Sequence, residues 1–190
     1  MGGRGSSSGM GFSGTGNATR SGASDDWFEY ENANLMAEYI RTGRMPTTDM
    51  NGRSLSTEER QRLAHEANLM QEEGAKTNTG QKTLYRGMVM SEEEARALTP
   101  GETYTTKTLT ATTPDRRMAS TYSDVENYGG GEGVPVIFEM QKSDGIRGFK
   151  RDSMETVLPK GSSFRITRNY MDENGVVHIS LYSKKGNNVR

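Results

Sequence analysis

The sequence predicts an α+β protein in which an N-terminal helical lobe precedes a β-rich core, and three observations carry that prediction. Apolar residues between positions 25 and 74 recur at helical spacing. After Gly80 the texture changes to short β-rich stretches, several alternating apolar and polar residues with period two. Two of these, Phe164 to Tyr170 and Val176 to Tyr182, are joined by Asp172-Glu173-Asn174-Gly175, where Asn-Gly supplies the positive φ of a hairpin turn. A length of 190 residues suits one compact domain plus an extension. The expected division is a flexible tail over 1–24, a helical lobe over 25–78 and a β-rich core over 79–190.

Residues 1–24 are glycine, serine and threonine with almost nothing to bury, so the entropy of ordering them goes uncompensated. Gly9, Gly11 and Gly14 satisfy GxGxxG, but no strand precedes them and no helix follows at once, so composition accounts for the match. Gly2 with Ser6 fits an N-myristoylation pattern, which a Gly/Ser-rich tail also meets by chance. The first helix is expected from Asp25 to about Gly43, with Phe28, Leu35, Met36, Tyr39 and Ile40 on one side. Ser24 or Asp25 is its cap and Gly43 its stop. A second helix starts at Ser56, whose hydroxyl forms a capping box with Glu59, runs through Leu63, Ala67 and Met70, and ends near Gly74. His65-Glu66 is half of a zinc-binding HExxH, but Leu69 stands where the second ligand belongs, so no metal is expected there.

In the second half, Thr83 to Met90 reads as a short strand. A helix boxed by Ser91 and Glu94 follows and ends at Pro100-Gly101. Thr103 to Thr113 is dense in β-branched residues, a short helix is expected near Pro114 to Tyr122, and Val134, Val136, Phe138 and Met140 alternate on one face of a strand.

Composition closes several chemistries. Without cysteine there are no disulfides, thiol nucleophiles or thiolate metal sites, and two histidines cannot build a multi-histidine centre. Lysine plus arginine (24) nearly balances aspartate plus glutamate (25), so no overall field draws the chain to nucleic acid or an anionic membrane. No apolar run approaches the roughly 20 residues that span a bilayer, and no leader resembles a secretion signal, so a protein acting in a cytoplasm is expected.

Carboxylates, hydroxyls, arginines and backbone donors remain. Arg86 lies in a β-like stretch and precedes Gly87, so a permanently charged guanidinium can reach a bound phosphate while the glycine leaves the backbone open to a ligand. Thr110 and Thr112 sit two apart on a strand and point to one face. Glu155 stands where a polar loop enters the strand-like Thr156-Val157-Leu158, which presents a carboxylate at the end of a scaffold strand. Glu139 competes for attention but falls mid-strand between Phe138 and Met140, the usual place for a solvated side chain.

In this order of arginine, hydroxyls and glutamate, the chain resembles the mono-ADP-ribosyltransferases of the Arg-Ser-Glu class, which include clostridial and cholera-like toxins and enzymes of tailed phages. The resemblance covers about Thr83 to Tyr182. Leu84-Tyr85-Arg86-Gly87 is similar to the family's first motif, and Thr108 to Thr113 with Ala119 and Tyr122 to its Ser-Thr-Ser strand and following helix. Glu155 to Gly161 with Phe164-Arg165-Ile166 is similar to its catalytic-glutamate strand. Spacing to Ala119 and Tyr122 favours Ala111 to Thr113 as the hydroxyl motif, whereas alternation favours Thr110 and Thr112. Thr112 belongs to both. Where the family usually has Glu or Gln two residues before the catalytic glutamate, this chain has Ser153, next to Asp152.

The resemblance implies an ADP-ribosyltransferase-like β-sandwich, with NAD as co-substrate and no metal. Glu155 would stabilise the oxocarbenium-like transition state, Arg86 would bind the pyrophosphate, and Thr110 or Thr112 would orient Glu155. Gly87 would face the dinucleotide, Tyr122 would stack on nicotinamide, and Phe149 and Ser153 would meet the acceptor, a host macromolecule and foremost a protein side chain, with nucleic acid left open. The helical lobe would clamp NAD or simply cover a sheet face. NAD glycohydrolysis and a non-catalytic, virion-associated interaction module are the alternatives.

Overall fold

A computed structural model describes residues 30–183. The expectations placed on the Gly/Ser-rich tail, on Ser24 or Asp25 as a cap and on Phe28 lie outside the described residues. Helix α1 (Tyr30–Thr42) buries Leu35, Met36 and Ile40 and stops where Gly43 turns to φ +68°. Helix α2 (Thr57–Lys76) opens on the expected capping box between Ser56 and Glu59 and runs slightly past the expected stop at Gly74. That glycine instead permits close packing, since a Cβ there would stand 3.2 Å from the backbone nitrogen of Phe149.

The strands are β1 (Thr83–Met90), β2 (Thr103–Thr105), β3 (Thr110–Thr112), β4 (Val134–Lys142), β5 (Phe149–Lys150), β6 (Thr156–Leu158), β7 (Ser163–Met171) and β8 (Val177–Ser183). Between them lie helices α3 (Glu92–Ala97), α4 (Arg116–Thr121) and α5 (Val125–Tyr128). They form a five-stranded sheet in the order β1-β4-β8-β7-β2 and a three-stranded sheet in the order β3-β6-β5. Only β4 and β8 run parallel; the other pairs are antiparallel. The β7–β8 hairpin turns through Gly175 at φ +77°, and the Asp172 carboxylate accepts hydrogen bonds from the amides of Asn174 and Val176.

Thr103 to Thr113, continuous in β propensity, is broken into two strands that belong to different sheets. β2 pairs with β7 and β3 pairs with β6. The break is at Thr106, which is buried and fixed to the corner after β6. Its amide donates to Ser162 O, its hydroxyl donates to Pro159 O, and its carbonyl accepts from Gly161 N. Propensity reports a pleated environment, not which sheet supplies it. Helix α5, capped by the Asp124 carboxylate, adds a turn that apolar spacing does not announce.

Alternation along β6 divides the interior. Leu158 joins Leu84, Val136, Phe138, Met140, Ile179 and Leu181 in the core between the sheets, while Val157 joins Leu35, Met36, Leu63, Ala67 and Met70 beneath the helices. The helices thus cover the outer face of the three-stranded sheet. Gln71 strengthens that docking: its amide nitrogen donates to Lys160 O at 3.0 Å and its amide oxygen accepts from Lys160 N at 2.7 Å.

Candidate active site

Among the described residues, the two sheets meet at one bridge. Tyr85 on β1 and Thr113, just past β3, exchange both backbone hydrogen bonds at 2.7 and 2.8 Å. Arg86 follows Tyr85, and one step beyond the last β3–β6 pair, Thr112 with Thr156, the register places Glu155 opposite Thr113. The backbones of Arg86 and Glu155 are therefore about two strand spacings apart, on the order of 10 Å.

Arg86 shares the inward face of β1 with Leu84 and Met88 and is half-buried. Its Nη1 donates to Ala111 O at 3.0 Å, which ties β1 to β3 and leaves the other donors of the fork. Burial pulls the guanidinium below its ordinary pKa, and Tyr104 nearby opposes that shift. Burial in turn raises the Tyr104 phenol above its usual value. The Tyr104 ring lies 5.2 Å from Phe138, the cross-strand partner of Arg86. Tyr104 is a neighbour that motif reading missed, because it comes from a separate edge strand.

Gly87 is needed for packing. A Cβ there would lie 1.6 Å from Ala119 O, so α4 fills the space expected to face a ligand. Thr112 is buried, and its hydroxyl donates to Thr156 O at 2.6 Å. It therefore fixes the backbone next to Glu155 and does not contact the carboxylate. The Thr110 hydroxyl, also buried, donates to Thr108 O at 3.0 Å and does not orient Glu155 either. Both threonines face Thr156 and Leu158 across the ladder, whereas Thr113 engages Met118 and caps the amide of Asp115.

Glu155 ends the five-residue connection, Arg151 to Glu155, that joins β5 to β6, and Asp152-Ser153-Met154 form its turn. The Asp152 carboxylate closes this loop by accepting from Met154 N at 2.6 Å and Glu155 N at 2.7 Å. Asp152 is thereby occupied in shaping the turn, and Ser153 is exposed at its tip. Arg151 faces Glu155 across the loop, with Nη1 3.2 and 3.1 Å from the two carboxylate oxygens. An arginine four residues before a glutamate carries no recognisable signal until the hairpin register is known.

Phe149 is half-buried opposite Val157 and packs against the helical cluster, a placement that leaves less of it for an acceptor than a loop position suggests. Tyr122 caps the end of α4, is 49% exposed, and stands 5.5 Å from Tyr128 in a tilted pair. Glu139 lines a separate groove of about 400 Å³ on the outer face of the five-stranded sheet, with Arg116, Gln141, Arg168, Tyr170 and His178. Arg86 and Glu155 do not line it. Among the described residues no group of three or more acidic or histidine side chains could hold a metal ion. No helix among them is long and apolar enough to cross a membrane.

No family model matches the sequence, and no curated protein matches it significantly. Solved structures do. Vis toxin, an ADP-ribosyltransferase from Vibrio splendidus, matches at 18% identity over 83% of this chain and 69% of that one, with a TM-score of 0.56. Vis in complex with the M6 inhibitor matches at 17% identity over 86% of this chain and 72% of that one, with a TM-score of 0.57. Vis in complex with agmatine matches at 17% identity over 83% and 70%, with a TM-score of 0.55. The fold is the ADP-ribosyltransferase fold, a mixed α and β structure with curled sheets.

Proposed function

We propose that this protein cleaves NAD between nicotinamide and ribose and transfers ADP-ribose to a side chain of a host-cell protein. It would act in the cytoplasm of that cell as a toxin-like or phage-encoded effector. The observation that supports this reading is the bridge between Tyr85 and Thr113, which brings the strands that carry Arg86 and Glu155 side by side in a fold shared with Vis. NAD supplies an electrophilic ribose carbon and a nicotinamide leaving group, and the chain's own residues do the rest. Arg86 holds the pyrophosphate with the donors not spent on Ala111, Glu155 binds a ribose hydroxyl and stabilises positive charge as the bond breaks, and Tyr122 offers an exposed ring for stacking. Thr112 acts on the backbone that carries Glu155.

One observation favours a second reading. Exposed Ser153 replaces the carboxylate or amide that engages an acceptor in the family this sequence resembles, which suits water as acceptor and hence NAD glycohydrolysis. Vis is seen with agmatine, a guanidine, so the proposed acceptors of this chain include a guanidinium. Incubation with NAD and host lysate separates the readings. Transfer predicts host proteins heavier by one ADP-ribose, and free ADP-ribose with no labelled protein overturns it. Absence of nicotinamide release would leave only a non-catalytic interaction module.

A further inference from the structure

Strand β7 changes face midway. Ile166 pairs with Leu181 and belongs to the core, but a bulge at Thr167 lets Arg168 pair with Ser180. Arg168 and Tyr170 therefore point outward, and Asn169 turns inward, where its amide donates to Ala95 O and Leu98 O. Unbroken alternation would have put Arg168 on the core side with Ile166. The bulge thus delivers an arginine and a tyrosine to the outer groove, which Glu139 of β4, His178 of β8 and Arg116 of α4 also line. Glu139 follows Phe138, the cross-strand partner of Arg86, so it lies on the face of the sheet opposite Arg86.

The groove holds its charges apart. The Tyr170 ring stacks on His178 at 5.1 Å, and Tyr170 remains 52% exposed. His178 Nε2 stands 2.7 Å from the Asp172 carboxylate, and its Nδ1 is 3.4 Å from Arg116 Nη2. A neutral imidazole satisfies both contacts, donating from Nε2 and accepting at Nδ1, so His178 positions Arg116. Among the described residues Arg168 has no hydrogen-bond or ion-pair partner for its guanidinium, and Arg116 forms no ion pair. Glu139 accepts from Gln141 and neutralises neither arginine. Two guanidiniums, a carboxylate and an aromatic ring surround a space of about 400 Å³, the size of a small-ligand site.

Each group selects a different part of a ligand. Guanidiniums without an ion pair suit a phosphate, and a half-exposed tyrosine suits a flat ring. A carboxylate in the same groove disfavours a bare anion or an acidic peptide, yet accepts hydrogen bonds from hydroxyl or amine groups. We propose that this groove is a second ligand site, which binds a nucleoside monophosphate. The phosphate is held by Arg116 and Arg168, the base stacks on Tyr170, and ribose hydroxyls donate to Glu139. Neither Arg86 nor Glu155 lines the groove, so the site does not depend on NAD cleavage.

The two histidines of the chain make the test direct, because His178 lies in the groove and His65 lies on α2, which packs on the other sheet. The full chain is titrated with adenosine, guanosine and uridine monophosphates, and separately with inorganic phosphate and adenosine, while NMR follows the carbon-bound ring protons of both histidines. His65→Gln assigns the signals. The expected result is a saturable shift of the His178 signals with a nucleoside monophosphate, His65 staying fixed. Phosphate alone and adenosine alone should bind at least about tenfold more weakly, since each keeps only one of two linked contacts. Arg168→Ala and Tyr170→Ala should each weaken the nucleotide by a similar factor. His178 signals unmoved by all three nucleotides, an equal response to phosphate alone, or an affinity unchanged in either variant overturns the inference. Nucleotide binding that leaves His178 unmoved places the ligand elsewhere and overturns it too. Arg168 and Tyr170 are exposed, and the wild-type titration decides the matter even if a variant does not fold.

Discussion

The two halves of the candidate site are held by opposite means. Arg86 and Gly87 lie on a long strand sealed by α4, where a single added methyl group would collide with the backbone of Ala119. Glu155 stands at the tip of a short hairpin, part exposed, and is held by an ion pair and a carboxylate cap. The first half is fixed by packing and the second by polar contacts. Packing tolerates almost no change in shape, while the hairpin tip can change chemistry and keep its fold. On the proposed function, that contrast suits a rigid anchor for NAD and an acceptor end open to change.

Glu155→Gln should produce the largest effect. On the proposed role of Glu155, losing its carboxylate should slow nicotinamide release by about 10²–10³-fold, as when one transition-state contact is removed. Stability should fall by no more than about 1 kcal/mol, because Gln keeps a partner for Arg151 in a partly exposed pair. A denaturant midpoint beside a rate measurement checks both, and equal loss of fold and rate would erase the distinction between the halves. Gly87→Ala tests the other side. A Cβ 1.6 Å from Ala119 O forces α4 or β1 to move, at a cost of about 2–3 kcal/mol in unfolding free energy. An unchanged midpoint would mean that β1 is not sealed.

These contrasts follow how legible each region is in sequence. The strands around Arg86 and the capping boxes at Ser56 and Ser91 are visible because period-two alternation and cap spacing are local properties. The hairpin through Gly175 is local too. What needs the third dimension is of another kind. The split at Thr106 depends on contacts with Pro159 and Ser162, more than 50 residues away. Tyr104 meets Arg86 from a different strand, and Arg151 meets Glu155 only once β5 and β6 pair. Phe149 looks like a loop aromatic until the helices are seen to lie on it. Candidate residues can be proposed by type and context, but their partners are set by register, and register depends on which strands find each other.

Asp152→Ala gives an intermediate effect that sharpens the comparison from the hairpin side. Removing the carboxylate frees two amides at the turn, at a cost of about 1 kcal/mol if the loop behaves like a helix cap. The nicotinamide-release rate should fall more than the denaturant midpoint implies, since the loop presents Glu155 directly. Rate and midpoint falling in proportion would show that the turn contributes only to the fold.

The smallest effect lies farthest from the site, at the start of α2, and is read by pH. The Arg53 guanidinium beside Glu59, together with the Ser56 amide, lowers the Glu59 carboxyl from an ordinary value near 4.5 to about 2. A carboxyl with a depressed folded pKa contributes stability that is complete above the unfolded value and disappears as pH falls through the folded one. The contribution should therefore be whole above about pH 4.5 and fade toward about pH 2. The group is exposed, so the change is a shallow slope in the denaturant midpoint and not a transition. Glu59→Gln preserves the side-chain acceptor of the capping box and removes the titration, so its midpoint should show less slope across that window than the wild type. Because α2 packs on β5 and β6, any slope also present in the nicotinamide-release rate would show that the polar half of the site is sensitive to the helix that supports it.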